Sequence, residues 1–502
     1  MTVSIDGSSL TIEKTLRVAR GFESVSLSQV AEENIERSHR SLTDLIQSGK
    51  MVYGVNTGFG SLLNVRISRE KEKDLQANLI RSHSAGVGDK LDSEYVRAMM
   101  LIRANSLSIG YSGVRKELIT TLIDMLNKKI VPVVPQFGSV GASGDLAPLA
   151  HIALAMMGEG EVYDNGTVRP SIEVLEREGI SPYSFAEKEG VAFINGTTAI
   201  SAILSLELAK SFHLLRTSVN SAALSFEALR GTDKAFTAWA IETRKHNGQK
   251  EIASEFRDIL LGSKNVKASS EAKIQDAYSL RCIPQVYGAV LDTLNYVKSV
   301  VQNEINSVTD NPLIKGNDYV SVGNFHGEPV AFGCDFVSIA LTDLGNIIER
   351  RIARMVDSNL SGLPPFLVEN SGYNSGYMIP QYVAASLCNM NKVLSYPSSA
   401  DSIPTSANQE DHVSMGMNSA LKLIQINKNL ERIIAIEFLL GSQGTEFLTL
   451  PIAPKVQKVK EIIRDKVPKL THDRPSYNDI NKIIDLMESG KLTSFSNERD
   501  LQ

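Results

Sequence analysis

The sequence predicts a mainly α-helical protein: a large central bundle of long helices, preceded by a smaller mixed region that carries a glycine-rich loop. Three observations predict it. From residue 197 to 230 the chain has neither glycine nor proline, and leucine and alanine recur at helical spacing. That run would span about 50 Å as a helix, longer than is usual in a globular domain. Further long apolar-striped patterns cover 285–307, 331–356 and 417–440, and such a series packs as a bundle.

Ahead of the bundle, the first 190 residues are punctuated by glycine and proline. Glycine-rich loops fall at 53–60 and 138–144, and the segment 93–125 reads as two helices broken near Gly110 and Gly113. A β-rich run over 131–135 leads into the second loop. After residue 450 the chain holds Pro451, Pro454, Pro468 and Pro475. It reads as an irregular arm followed by one short helix over 477–488. The expected division is therefore 1–195, 196–450 and 451–502.

Composition narrows the function class. The 502 residues are 42% hydrophobic and 22% charged, an ordinary globular balance with ample length for a buried core. With 52 basic and 57 acidic residues the net charge is -5, and no basic patch of the nucleic-acid-binding kind stands out. The charge run at 69–74 alternates in sign and reads as a solvated helix face. Cys282, Cys334 and Cys388 are few, odd in number and widely spaced, which argues against a disulfide framework or a zinc site and fits a reducing compartment. No metal-ligand spacing is visible, and no metal is expected. The N-terminus lacks a basic head followed by an apolar run, and no stretch of about 18 predominantly apolar residues is evident, so a cytoplasmic protein without a membrane span is expected. There Asn165-Gly166-Thr167 and Asn195-Gly196-Thr197, which match the glycosylation pattern, carry no meaning.

The chemistry lies in Gly138-Ser139-Val140-Gly141-Ala142-Ser143-Gly144-Asp145-Leu146-Ala147-Pro148-Leu149. A plain reading is a turn followed by a helix capped by Asp145. A nucleophile elbow fails, because Asp145 stands where the second glycine of Gly-x-Ser-x-Gly belongs. A phosphate cradle fails, because no Gly-Lys-Ser/Thr follows. A third reading suits the residue types. The Gly144 nitrogen attacks the Ala142 carbonyl carbon, loss of water closes a five-membered ring, and dehydration of Ser143 leaves an exocyclic methylene. Gly144 permits the close approach, Ala142 does not obstruct it, and Ser143 supplies the leaving hydroxyl. The product would be an electrophile that no standard side chain offers.

This loop resembles the signature of the aromatic amino acid ammonia-lyase and aminomutase family, whose members carry the ring 4-methylideneimidazol-5-one (MIO). The likeness runs from about Tyr53 to Leu450, with the family's motifs in order. It implies an MIO group formed from Ala142, Ser143 and Gly144, no external cofactor, and loss of ammonia from an amino acid. It implies that the substrate amine adds to the methylene (the substrate ring is the alternative nucleophile) and that Tyr53 removes or helps remove the β-proton. A phenol is a weak base at neutral pH unless its surroundings help it. Asn195 matches the residue that hydrogen-bonds the ring carbonyl. Gln275 and Tyr278 match residues supporting ring and substrate, Arg281 the one that binds the substrate carboxylate, and Phe325 an aromatic lining the site. Singly, Arg281 reads as a surface ion-pair residue and Phe325 as a core aromatic; their joint order carries the assignment. The resemblance also implies a homotetramer whose active sites draw on more than one subunit.

Two positions point to the branch of the family that acts on L-histidine and yields urocanate and ammonia. His83, which alone would read as a satisfied core histidine, stands where that branch has a histidine and the phenylalanine enzymes an apolar pair. Glu410 stands where the phenylalanine and tyrosine enzymes tend to read Asn-Gln-Asp. A carboxylate with an imidazole suits a substrate ring that has one donor and one acceptor nitrogen. A phenyl ring would leave Glu410 buried and unpaired. A tyrosine or phenylalanine lyase or 2,3-aminomutase is the alternative, and a non-catalytic relative would be expected to lose Tyr53 or the tripeptide. Tyr373, Tyr377, Pro380 and the 396–400 segment depart from the family pattern and are expected near pocket walls or subunit contacts.

Overall fold

A computed structural model describes residues 2–48, 72–164 and 166–493. Tyr53 and its glycine-rich loop, the first half of the charge run at 69–74, and Asn165 lie outside them. The helices that position the site are α1 (Ser93–Ser108), α2 (Leu146–Met156), α3 (Thr198–Ala228), α4 (Ile283–Glu304), α5 (Glu328–Val356), α6 (Met378–Leu394) and α7 (Gly416–Gly444). Strands are short. A parallel pair joins 2–5 to 24–27, an antiparallel pair joins 87–90 to 135–137, and a three-stranded sheet is ordered 131–132, 161–164, 167–170. These precede the bundle, and the sheet content there is confined to small units. A hairpin at 313–320 is the remaining described sheet.

At the centre stands α3, buried at every position except Lys210 and His213. A helix apolar all round belongs in a core, and α3 is enclosed by α1, α4, α5 and α7. Its serines are tolerated there because their hydroxyls return to the helix's own carbonyls: Ser201 to Thr197 (2.7 Å), Ser205 to Ser201 (2.6 Å) and Ser211 to Glu207 (2.7 Å). Both α3 and α5 contain windows apolar enough to cross a membrane by length and composition, contrary to the expectation that no such stretch exists; 89% and 61% of those windows are buried inside the fold.

One buried polar network ties four helices together. Arg351 of α5 reaches Glu437 of α7 at 2.5 Å and the Tyr287 hydroxyl of α4 at 2.6 Å. Glu437 in turn accepts from Ser221 and Ser225 of α3, each at 2.5 Å. Arg351, Glu437 and Tyr287 are all fully buried. Every charge is paired, which is the condition under which burial is tolerable.

The tail differs from the sequence reading. The arm after 450 contains a helix, Pro454–Lys466, before the expected last one, Ser476–Glu488. Pro454 sits in that helix's first turn, where its missing N–H costs nothing. Helix α6 likewise accommodates Pro380 in its first turn. All three cysteines are free.

Glu437→Ala would leave the Arg351 guanidinium buried without its carboxylate. The expected cost is about 3–5 kcal/mol, seen as a lower denaturant midpoint, with much of it recovered in the double variant Arg351→Met/Glu437→Leu.

Candidate active site

The tripeptide loop is pinned on every side. Ser143 has φ +52° and is flanked by Gly141 at +71° and Gly144 at +82°, so the chain turns through left-handed conformations that a serine adopts only under constraint. Gly144 forms a bridge with Gly196, and a Cβ added to it would lie 2.1 Å from the Gly196 nitrogen. Asp145 N–H donates to the Gly196 carbonyl at 2.7 Å. On the other side, the Gly141 carbonyl accepts from the Gly327 N–H and from the Ser414 hydroxyl, both at 3.0 Å. The Met415 N–H donates to the Val140 carbonyl at 2.8 Å, and Ala142 packs against Val413 and Met415.

The plain reading of the loop has Asp145 cap its own helix, α2. It makes no side-chain cap there. Its Oδ2 instead accepts from the Ala199 and Ile200 N–H groups at 2.7 and 3.0 Å, capping the 31-residue α3, while Oδ1 accepts from Ser139 at 2.7 Å. The reason is reach: the loop folds back so that the carboxylate faces the next helix rather than the one it precedes. Burial pushes the Asp145 carboxyl up to about 6, against the pull of those hydrogen bonds and of Arg103.

Arg103 completes the frame, and sequence reasoning missed it. It is fully buried and donates to the Ala192 and Asn195 carbonyls (3.0 and 2.9 Å) and to the Thr198 and Thr309 hydroxyls (2.7 and 3.1 Å). Burial draws its guanidinium down to about 10, opposed by the charges of Asp310 and Asp145. An arginine inside the apolar run Met99-Met100-Leu101-Ile102-Arg103 was the available signal.

Of the expected site residues, Ser143, Asn195 and Glu410 meet directly. The Ser143 hydroxyl donates to Glu410 Oε1 at 2.8 Å, and Glu410 Oε2 accepts from Thr405 at 3.1 Å. Asn195 donates its Nδ2 to the Ser143 carbonyl, and its Oδ1 is buried without a hydrogen-bond partner. Asn195 is thus committed to the loop, not offered to a glycan. His83 lies within the electrostatic reach of Glu410. Burial lowers its pKa, while the hydrogen bond to Leu79 and the Glu410 charge oppose that shift. Its Nδ1 faces the Leu79 carbonyl at 2.8 Å; a carbonyl only accepts, so Nδ1 carries the proton and Nε2 is left as an acceptor in the neutral ring. Phe325 is half-buried two residues before Gly327.

Gln275, Tyr278 and Arg281 meet one another but not Ser143. Arg281 donates to Gln275 Oε1 at 2.9 Å, and its guanidinium lies 4.7 Å from the Tyr278 ring centroid. Tyr278 is 71% exposed. Helix α5 measures the separation. Gly327 at its start touches the tripeptide loop, whereas Arg351 near its end donates to the Ser279 carbonyl at 3.2 Å. Those points lie about 36 Å apart along a helix rising 1.5 Å per residue. Tyr373 and Tyr396 are exposed, while Tyr377 is buried.

Comparison with known proteins agrees with this frame. The profile of the aromatic amino acid lyase family matches residues 10–465. The chain belongs to the aromatic amino acid lyase family. Among curated family members, a probable histidine ammonia-lyase of Thermoplasma volcanium is 61% identical over 490 residues, covering 98% of this chain and 99% of the relative. The histidine ammonia-lyase of Caldanaerobacter subterraneus subsp. tengcongensis is 48% identical over 502 residues, covering 99% of each. Among solved lyase-family structures, histidine ammonia-lyase from Trypanosoma cruzi superposes with a TM-score of 0.91 at 39% identity, over 98% of this chain and 94% of that one. Tyrosine aminomutase from Streptomyces globisporus gives 0.93 at 35% identity, over 98% of both. The mainly helical fold is the lyase-family fold.

Gly144 and Gly166 have the same φ, +82°, but Gly166 has nothing within 4 Å of an added Cβ. Gly166→Ala should cost about 1–2 kcal/mol of backbone strain and leave activity intact. Gly144→Ala should add a backbone clash with Gly196 and abolish activity, as read by turnover and by thermal unfolding.

Proposed function

We propose that this lyase removes ammonia non-oxidatively from L-histidine to give trans-urocanate, a carbon–nitrogen lyase reaction that opens histidine degradation. One observation carries the substrate choice: Glu410 sits at 2.8 Å from the Ser143 hydroxyl, with its charge acting on the half-buried His83. A carboxylate beside an imidazole acceptor offers complementary partners to an imidazole side chain and leaves unpaired polar groups against a phenyl ring. The shared fold does not separate lyases from aminomutases; this polar pair favours histidine over tyrosine or phenylalanine.

The tripeptide fits an MIO ring. Left-handed backbone at Ser143 and Gly144, the absence of room for a Cβ at Gly144, and a small buried Ala142 all suit closure of Gly144 nitrogen onto the Ala142 carbonyl. When formed, that group supplies an electrophilic methylene that turns the substrate amine into a better leaving group. The roles proposed for side chains follow from their chemistry. Asn195 holds the Ser143 carbonyl. Glu410 and His83 orient the substrate imidazole, with Phe325 lining its surroundings. Arg281 offers a fork of donors to the substrate carboxylate, with Gln275 and Tyr278 holding that guanidinium. Tyr53 is the proposed β-proton acceptor and lies outside the described residues.

Gln275, Tyr278 and Arg281 cannot serve the Ser143 loop of their own chain across about 36 Å of α5. We therefore propose a homotetramer whose active sites combine residues from different copies. An extended apolar surface supports association. Helix α6 buries Pro380, Ala384 and Asn391 but exposes Ile379, Tyr382, Val383, Met390 and Val393, and Phe332, Phe336 and Ile339 of α5 are exposed as well. The division at 195 and 450 is proposed on the start of the bundle near Thr198 and the prolines after Leu450. Three free cysteines suit the cytoplasm.

Purified protein incubated with L-histidine should produce urocanate absorbance. Deamination or 2,3-shift of tyrosine or phenylalanine instead would overturn the substrate reading. Ser143→Ala should fold, lack the ring and lose nearly all turnover; substantial residual activity would exclude the proposed group. Ser143→Ala and Arg281→Ala, each inactive alone, should regain activity when co-expressed. Continued inactivity of the mixed assembly would mean that each chain completes its own site.

A further inference from the structure

Beside the loop, and unused by the proposed reaction, His326, Glu328 and His412 converge. One ligand-capable atom from each lies within 4.8 Å of the others. The two imidazoles stack with centroids 5.6 Å apart and planes 12° from parallel. His326 Nε2 faces the His412 carbonyl at 3.2 Å. A carbonyl only accepts, so Nε2 carries the proton and Nδ1 of the neutral ring is an acceptor. That Nδ1 faces Glu328 Oε2 at 3.9 Å, and Oε2 is itself buried without a hydrogen-bond partner. Two acceptors thus face one another across a gap that a cation would fill.

We propose that His326 Nδ1, a Glu328 carboxylate oxygen and a His412 ring nitrogen bind a divalent transition ion of the zinc class. Two imidazoles and a carboxylate suit zinc better than magnesium or calcium, which favour oxygen ligands. The bond from His326 Nε2 to a backbone carbonyl is the outer-shell contact that fixes a metal-ligating histidine's tautomer. Bond lengths of about 2.0–2.2 Å place the ligand atoms of a tetrahedral site about 3.4 Å apart. The set must therefore close by up to about 1.4 Å, through rotation of the exposed His412 side chain and a smaller adjustment between His326 and Glu328. Three protein ligands leave a position open to solvent.

The site's location gives it a role. His326 and Glu328 flank Gly327, whose N–H holds the Gly141 carbonyl, and His412 precedes Val413, which packs on Ala142. An ion here joins the two segments that clamp the tripeptide loop, acting as a staple rather than as a participant in bond breaking. The sequence did not reveal it because His412 lies far along the chain from the other two ligands.

Binding is measured directly, without reference to turnover. Chelator-treated protein is dialysed against Zn²⁺ and its metal content determined, with Co²⁺ as a spectroscopic substitute. The expected result is about one saturable ion per chain and a thermal midpoint raised by Zn²⁺. His412 is exposed, so His412→Ala should fold; it should bind more than about 100-fold more weakly, beyond the loss typical of an outer-shell change. His412→Cys, which restores a ligand, should bind Zn²⁺ and give Co²⁺ a thiolate charge-transfer band. Glu328→Gln should weaken binding in the same direction. Absence of saturable binding, as expected if only a proton is shared between His326 and Glu328, would overturn the proposal. So would binding that His412→Ala leaves unchanged.

Discussion

The fold around the tripeptide depends on one buried carboxylate. Asp145 joins the loop to the start of α3, the helix around which the bundle is built. Its oxygens take two N–H groups that the helix cannot satisfy itself, and the Ser139 hydroxyl within the loop. The carboxylate carries a desolvation penalty, expressed in its raised pKa, and tolerates it because both oxygens accept hydrogen bonds. The strained turn through Ser143 is therefore fixed to the buried central helix. Arg103 reinforces the junction from beneath by holding the Asn195 carbonyl, so the amide that reaches Ser143 is positioned by backbone as well as by rotamer.

A second buried charge cluster secures the opposite end of the bundle. Arg351, Glu437 and Tyr287 link α4, α5 and α7 to the serines of α3. Between these two knots apolar packing is supplemented by further polar pairs, among them Asn427 with Glu207 and Ser419 with Asp335. The bundle carries candidate site residues at each end: Ser143, Asn195 and Glu410 at one, Gln275, Tyr278 and Arg281 at the other.

Much of this was legible in the sequence, for physical reasons that differ by element. A long run without glycine or proline announced α3, and apolar stripes at helical spacing announced most of the bundle. The helix Pro454–Lys466 was hidden, because a proline in a first turn looks the same as a proline that ends a helix until the backbone is seen. The tripeptide was legible from residue chemistry and became specific through resemblance. The plain reading of Asp145 as a cap names the following helix, whereas its carboxylate caps α3, since a cap's partner depends on how the loop turns. Arg103 and the His326–Glu328–His412 cluster belong to contacts between distant segments, which one sequence does not display. The meeting of Glu410 with Ser143 across the fold is of the same kind, and here the family pattern supplied what spacing did not.

Because the two sets of residues sit at opposite tips of α5, that helix acts as a gauge. In the proposed assembly its length sets how far apart one copy holds its contributions, and neighbouring copies would be spaced to match. Inserting or deleting a single turn, about 5.4 Å, would shift one set of residues against the other and misalign the proposed composite sites. Helix length would then be held by the geometry of assembly, a constraint invisible in any isolated copy of the chain.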